Sequence, residues 1–128
     1  MAAMMATIAH REPDSRGNWN DPDAGISLGH LRLAIVDPSA AGHQPMVSET
    51  GRWVLGFNGE IYNHTSLRSA LEGSGKAPDW RGNSDTETLL AGIEVWGLED
   101  TLMRATGMFA IALWDRDTRQ ICLARDRF

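Results

Sequence analysis

The sequence predicts an α+β fold built on mostly antiparallel sheet. Two apolar runs, Met108 to Trp114 and Gln120 to Ala124, flank the charged turn Asp115-Arg116-Asp117-Thr118-Arg119, which is the pattern of a hairpin. A helix start is written at Ser84-Asp85-Thr86-Glu87, a capping box with its glutamate three residues after the serine. A separate apolar run, Trp53-Val54-Leu55-Gly56-Phe57, reads as a strand. A hairpin joined by a short turn argues for antiparallel pairing, with the helices held apart from it in sequence.

Residues 1–9 read as a helix, broken at Pro13 and Asp14-Ser15-Arg16-Gly17. Asn18 to Gly25 is rich in Asn, Asp and Pro and reads as a polar loop. Leu28 to Val36 reads as a strand stopped by Asp37-Pro38. Residues 37–52 are turn-rich, with Gly42 and Pro45. After the strand at 53–57, Asn63 is placed to cap a helix running to about Leu71, with Gly73 past its end. The helix opened by Ser84 carries Leu89, Ile93 and Trp96 on one face and stops at Gly97. Leu98, Leu102 and Ala105 suggest a short further helix before the terminal hairpin.

The 128 residues suit one domain, and 42% hydrophobic residues with five tryptophans suffice for a core. A net charge of −5 argues against a phosphate-tracking surface, so no nucleic acid is expected as partner. No apolar run approaches membrane-spanning length, so no membrane partner is expected either. The single cysteine, Cys122, excludes an intrachain disulfide framework and fits a reducing, cytoplasmic compartment. His10, His30, His43 and His64 lack metal-type spacing, so no metal site is expected. Gly73-Ser74-Gly75-Lys76 resembles a phosphate loop, but Ala70 and Ala77 replace its first Gly and its Ser/Thr.

The most informative stretch is Gly56-Phe57-Asn58-Gly59-Glu60-Ile61-Tyr62-Asn63-His64. It reads as a strand ending in a tight Asn-Gly turn that opens a helix. A side-chain amide and a backbone N–H then stand side by side, as an oxyanion hole requires. From these residues alone a plain Asn-Gly turn is the better reading.

The run FNGEIYNH resembles the glutaminase (class II glutamine amidotransferase) domain of asparagine synthetases. HREPDSRG (10–17), LGHLRLAIVD (28–37), GHQPM (42–46), SDTETLL (84–90), GMFAIALWD (107–115) and LARDRF (123–128) match further motifs of that family in order and spacing. The resemblance implies most of the four-layer αββα sandwich of N-terminal-nucleophile hydrolases. It implies a glutaminase domain that supplies ammonia for ATP-dependent amidation of aspartate, or of another carboxylate. Its partners would be glutamine and the synthetase domain of a parent protein. No cofactor is implied in this chain; ATP and magnesium belong to the synthetase domain. The alternative is a non-catalytic glutaminase-like binding or interaction module.

Residue by residue, the resemblance assigns Asn58 and Gly59 to the oxyanion hole and Arg32 to the glutamine α-carboxylate. An arginine fork suits that bidentate task. Glu60 and Asp85 match positions near the substrate ammonium. His10, Arg11, Pro13 and Asp14 match the loop beside the nucleophile, where Glu12 replaces the family's glycine. The family's nucleophile is an N-terminal cysteine, and residue one here is Met1. Similarity running straight into Met1 implies an incomplete domain over residues 1–128, cut at both ends and inactive alone. Thr7 would need a cleavage to free its amine. Cys122 lies in an expected core strand, where cysteine behaves as a small hydrophobe.

Overall fold

The computed structural model describes residues 1–11, 15–32 and 39–127. Helix α1 (Ala2–Thr7) runs into a 3-10 turn, Ala9–Arg11. Strands β1 (Ser15–Asp21) and β2 (Ile26–Arg32) form an antiparallel pair in which Ser15 faces Arg32 and Asp21 faces Ile26. The polar loop expected from residue 18 is therefore a strand as far as Asp21. Its composition, Ser-Arg-Gly-Asn-Trp-Asn-Asp, favours turns; pairing along all of β2 overrides that local preference. Only Pro22 to Gly25 turns, closed by Gly25 N–H donating to the Pro22 carbonyl at 3.2 Å. Residues 33–36 of the expected strand lie outside the described residues.

The second sheet has the order β3-β4-β5-β6, antiparallel throughout: β3 (Met46–Val47), β4 (Trp53–Ile61), β5 (Gly107–Asp115) and β6 (Gln120–Arg125). β4 passes straight through the expected Asn-Gly turn, with Asn58 opposite Ala110 and Gly59 opposite Phe109. The reason is cross-strand: apolar β5 offers partners along the whole length of β4, and Gly59 accommodates the close approach. Its φ is +144°, and a Cβ there would lie 2.0 Å from the Met108 carbonyl oxygen.

Helices α2 (His64–Gly73), α3 (Asp85–Trp96) and α4 (Leu98–Arg104) follow β4. Leu55, Phe57, Ile61, Ile111 and Leu113 of the sheet pack against Leu67, Leu89, Leu90 and Ile93 of the helices. α1 lies on β2, β2 meets β4, and α3 packs on β4. That is the layer order of an αββα sandwich, and it bears out the α+β expectation. The sheet face away from the helices is covered at one end, where Val54 and Trp114 are buried. It is open at the other, where Asn58 and Met108 are exposed.

Two helix caps differ from expectation. Ser84 Oγ accepts the Glu87 N–H at 3.1 Å, the first half of the capping box. The Glu87 carboxylate turns instead to the N–H groups of Arg81 (2.7 Å) and Gly82 (3.0 Å), pinning the preceding loop. Asn63 gives α2 no side-chain cap. Its amide donates to the Arg104 carbonyl and accepts the Thr106 N–H, both at 2.8 Å, tying α2 to the α4–β5 junction. Among the described residues no helix is long and apolar enough to cross a membrane, and no cluster of three or more potential metal ligands occurs.

Candidate active site

The site grows from the hydrogen-bond phase of β4. Arg116 N–H donates to the Arg52 carbonyl at 3.0 Å, and Tyr62 N–H to the Thr106 carbonyl at 2.7 Å. These bonds bracket the β4–β5 ladder, so even-numbered residues of β4 turn their backbone groups toward β5. Odd-numbered residues turn theirs to the opposite edge. There Trp53 exchanges bonds with Ser48, its N–H reaching the Ser48 hydroxyl at 3.1 Å and its carbonyl accepting Ser48 N–H at 2.9 Å. β3 is only two residues long and ends this pairing at Leu55.

Beyond Leu55 side chains replace the missing strand. Phe57 N–H donates to Gln44 Oε1 at 2.6 Å, and Ile61 N–H to Asp85 Oδ2 at 2.8 Å. Gly59 lies between them in the same phase, and its N–H has no acceptor among the described residues. It is exposed. An unpaired strand N–H flanked by two satisfied ones is a pre-aimed donor, because the strand that carries it cannot relax around it.

Asn58 and Glu60 alternate onto the open sheet face, away from α3. Neither the Asn58 amide nor the Glu60 carboxylate has a partner among the described residues. Asp85 is 5% exposed at the start of α3. Its two oxygens accept Ile61 N–H and Thr86 N–H, the latter at 2.9 Å. A carboxylate has about four acceptor positions, so two remain.

Arg32 ends β2. Its Nη1, one of the five N–H donors of the fork, donates to the Ser39 carbonyl at 3.1 Å. Beside it, burial first, then the charges of Arg32 and His43, push His30 down to about 4. His30 is thus neutral at pH 7, and Arg32 is the fixed cation of that group. His10 is exposed, with Nδ1 3.2 Å from the Thr7 carbonyl. Glu12, Pro13 and Asp14 lie outside the described residues. Cys122 is half-buried on β6 opposite Leu113, on the core side of the sheet.

Two participants were not singled out from sequence. Gln44 is 5% exposed and closes the β4 edge; it stands in the GHQPM motif without a role there. Gly17 in β1 lies so near it that a Cβ would fall 1.6 Å from the Gln44 carbonyl oxygen. A glutamine before a proline in a turn-rich segment carries no local sign of a long-range bond.

The model of the glutamine amidotransferase domain matches residues 1–128. The chain belongs to that family. The domain is 38% identical over 125 residues to asparagine synthetase (glutamine-hydrolysing) 1 of Bacillus subtilis, covering 98% of this chain and 19% of the relative. It is 39% identical over 121 residues to amidase chry2 of Gibberella zeae, covering 94% of this chain and 17% of that protein. Among solved structures, glutamine phosphoribosylpyrophosphate amidotransferase of B. subtilis superposes with a TM-score of 0.61 at 25% identity, over 78% of this chain and 23% of that one. The chain thus spans about a fifth of the length of these relatives. The fold is that of the N-terminal-nucleophile amidotransferases, as the motifs implied.

Proposed function

We propose that this domain binds L-glutamine and belongs to an asparagine synthetase-like amidotransferase. In such a protein the domain releases ammonia for ATP-dependent amidation of aspartate by the remaining polypeptide, in the cytoplasm. The observation that carries the reading is the unpaired Gly59 N–H beside the unpartnered Asn58 amide. Arg32 holds the α-carboxylate, and Glu60 with the free acceptor positions of Asp85 holds the ammonium. The side-chain carbonyl of glutamine is thereby directed to Asn58 and Gly59.

The reaction is acyl transfer. A thiolate attacks the side-chain carbonyl carbon, the C–N bond breaks as ammonia leaves with a proton, and water cleaves the thioester to glutamate. The two donors oppose the charge on oxygen after attack, each typically contributing ~3–4 kcal/mol in the transition state. Met1 offers no thiol, and Cys122 faces the core. A polypeptide of these 128 residues therefore binds L-glutamine without releasing ammonia. Calorimetric titration together with an ammonia assay tests this. Arg32→Ala should weaken binding at least tenfold, corresponding to the ~1.5–3 kcal/mol of a charged hydrogen-bonded contact. Ammonia release abolished by Cys122→Ser would reassign the nucleophile, and binding indifferent to Arg32→Ala would remove the carboxylate anchor.

A further inference from the structure

We propose that Gln44 is a positioning residue that fixes the separation of Arg32 from Gly59, and so the length of amino-acid side chain the site accepts. The inference rests on the glutaminase reading and adds to it a determinant of specificity.

Gln44 closes a ring of bonds around the open β4 edge. Its Oε1 accepts Phe57 N–H at 2.6 Å, and its Nε2 donates to Thr86 Oγ1 at 3.2 Å. Thr86 follows Asp85, whose Oδ2 accepts Ile61 N–H at 2.8 Å. Phe57, Gln44, Thr86, Asp85 and Ile61 thus frame Gly59 from both sides. The frame is buried: Gln44, Thr86 and Asp85 are each 5% exposed or less. Polar groups at such depth hold their geometry, because a broken bond leaves an unsatisfied partner.

The same short segment reaches the other end of the site. Ser39, where it begins, accepts the bond from Arg32 Nη1 at 3.1 Å. Ser39 Oγ in turn accepts Ala41 N–H at 3.2 Å, stiffening the 3-10 turn Ala40–Gly42. The backbone of Gln44 abuts β1 at Gly17, where a Cβ would come 1.6 Å from its carbonyl oxygen. Gly17 pairs with His30, two residues before Arg32. The segment from Ser39 to Gln44 therefore touches the guanidinium at one end and the β4 edge at the other. It is a spacer between the group that would hold a carboxylate and the donor that would hold a side-chain carbonyl. L-Glutamine and L-asparagine share the carboxylate and the amide and differ by one methylene between them. A fixed spacer discriminates on that difference.

The test uses the 128-residue chain and its Gln44→Met variant, which keeps volume and loses both side-chain bonds. Arg52→Gln serves as a variant destabilised elsewhere, since Arg52 pairs with Asp115 at the far end of β4. Calorimetry gives the affinities for L-glutamine and L-asparagine, and hydrogen exchange gives the protection of Phe57 N–H. Wild type and Arg52→Gln should prefer L-glutamine. In Gln44→Met, protection of Phe57 should fall at least tenfold and the preference should shrink at least fivefold, through weaker L-glutamine binding. A folded Gln44→Met that keeps the wild-type preference would overturn the proposal. Wild type that binds L-glutamine no better than L-asparagine would overturn the glutaminase reading itself, and the spacer with it.

Discussion

At Gly59 two requirements meet in one residue. The strand needs φ +144° and no Cβ within 2.0 Å of the Met108 oxygen, and the edge needs an N–H left over. Gly59→Ala should lower stability by roughly 2–4 kcal/mol, from the strained dihedral together with the overlap. Urea unfolding followed by circular dichroism measures it; a change under 1 kcal/mol would mean the approach of β5 is not fixed. The sequence showed this glycine and its neighbour Asn58 through their motif. It did not show that they stand inside a strand, because an Asn-Gly pair locally favours a turn and only β5 overrides that.

His30 gives a second test at this scale. It titrates near 6.5 when unfolded and near 4 in the fold. Between those values the unfolded chain binds the proton more tightly, so stability falls as pH drops from 6.5 toward 4. The bonds from Arg52 hold the Asp115 carboxyl well below its usual 3.8, so its contribution is lost only at still lower pH. Chemical unfolding followed from pH 7 downward should therefore show a first acid-labile step between pH 6.5 and 4, abolished by His30→Asn, and the onset of a second only below pH 4. A His30→Asn profile that overlays wild type above pH 4 would assign that step elsewhere.

Among the elements, α3 matters most, since its first turn holds Asp85 and Thr86 against β4. Ser84 fixes that turn through the bond to Glu87 N–H. Ser84→Ala should cost about 1 kcal/mol in global stability, the usual value of such a cap. It should also lower hydrogen-exchange protection at Ile61, because the Asp85 acceptor loses its anchor. Unchanged protection there would separate the cap from the site. α3 was legible in sequence because its signals are local: a cap, a periodic apolar face and a terminal glycine at φ +82°. β1 was not, because its reason for being a strand is β2. The second half of the capping box was misread for the same cause: Glu87 had better donors at Arg81 and Gly82 than at the helix start.

At the scale of the molecule, the motifs carried the fold class and the family, while the geometry of the site came from contacts between segments far apart in sequence. Arg32, Asn58, Gly59, Glu60 and Asp85 were all named from their motifs. The bonds that flank Gly59 run through Gln44 and Asp85, and Gln44 is visible only when the sheets are placed. A separate cavity of about 440 Å³, lined by Val47, Pro78, Arg81, Leu90, Glu94 and Val95, lies between the β3 end, the loop before α3 and α3 itself. It is one alternative place, among the described residues, for a small ligand to settle. The decisive measurement is a titration of the isotope-labelled chain with L-glutamine, followed through its amide resonances. Saturable shifts at Gly59 N–H and the Asn58 side-chain amide, with Arg32 Nε moving at the same concentrations, are the predicted result. Shifts confined to Val47, Arg81 and Leu90, or none at Gly59 at saturating L-glutamine, would contradict it.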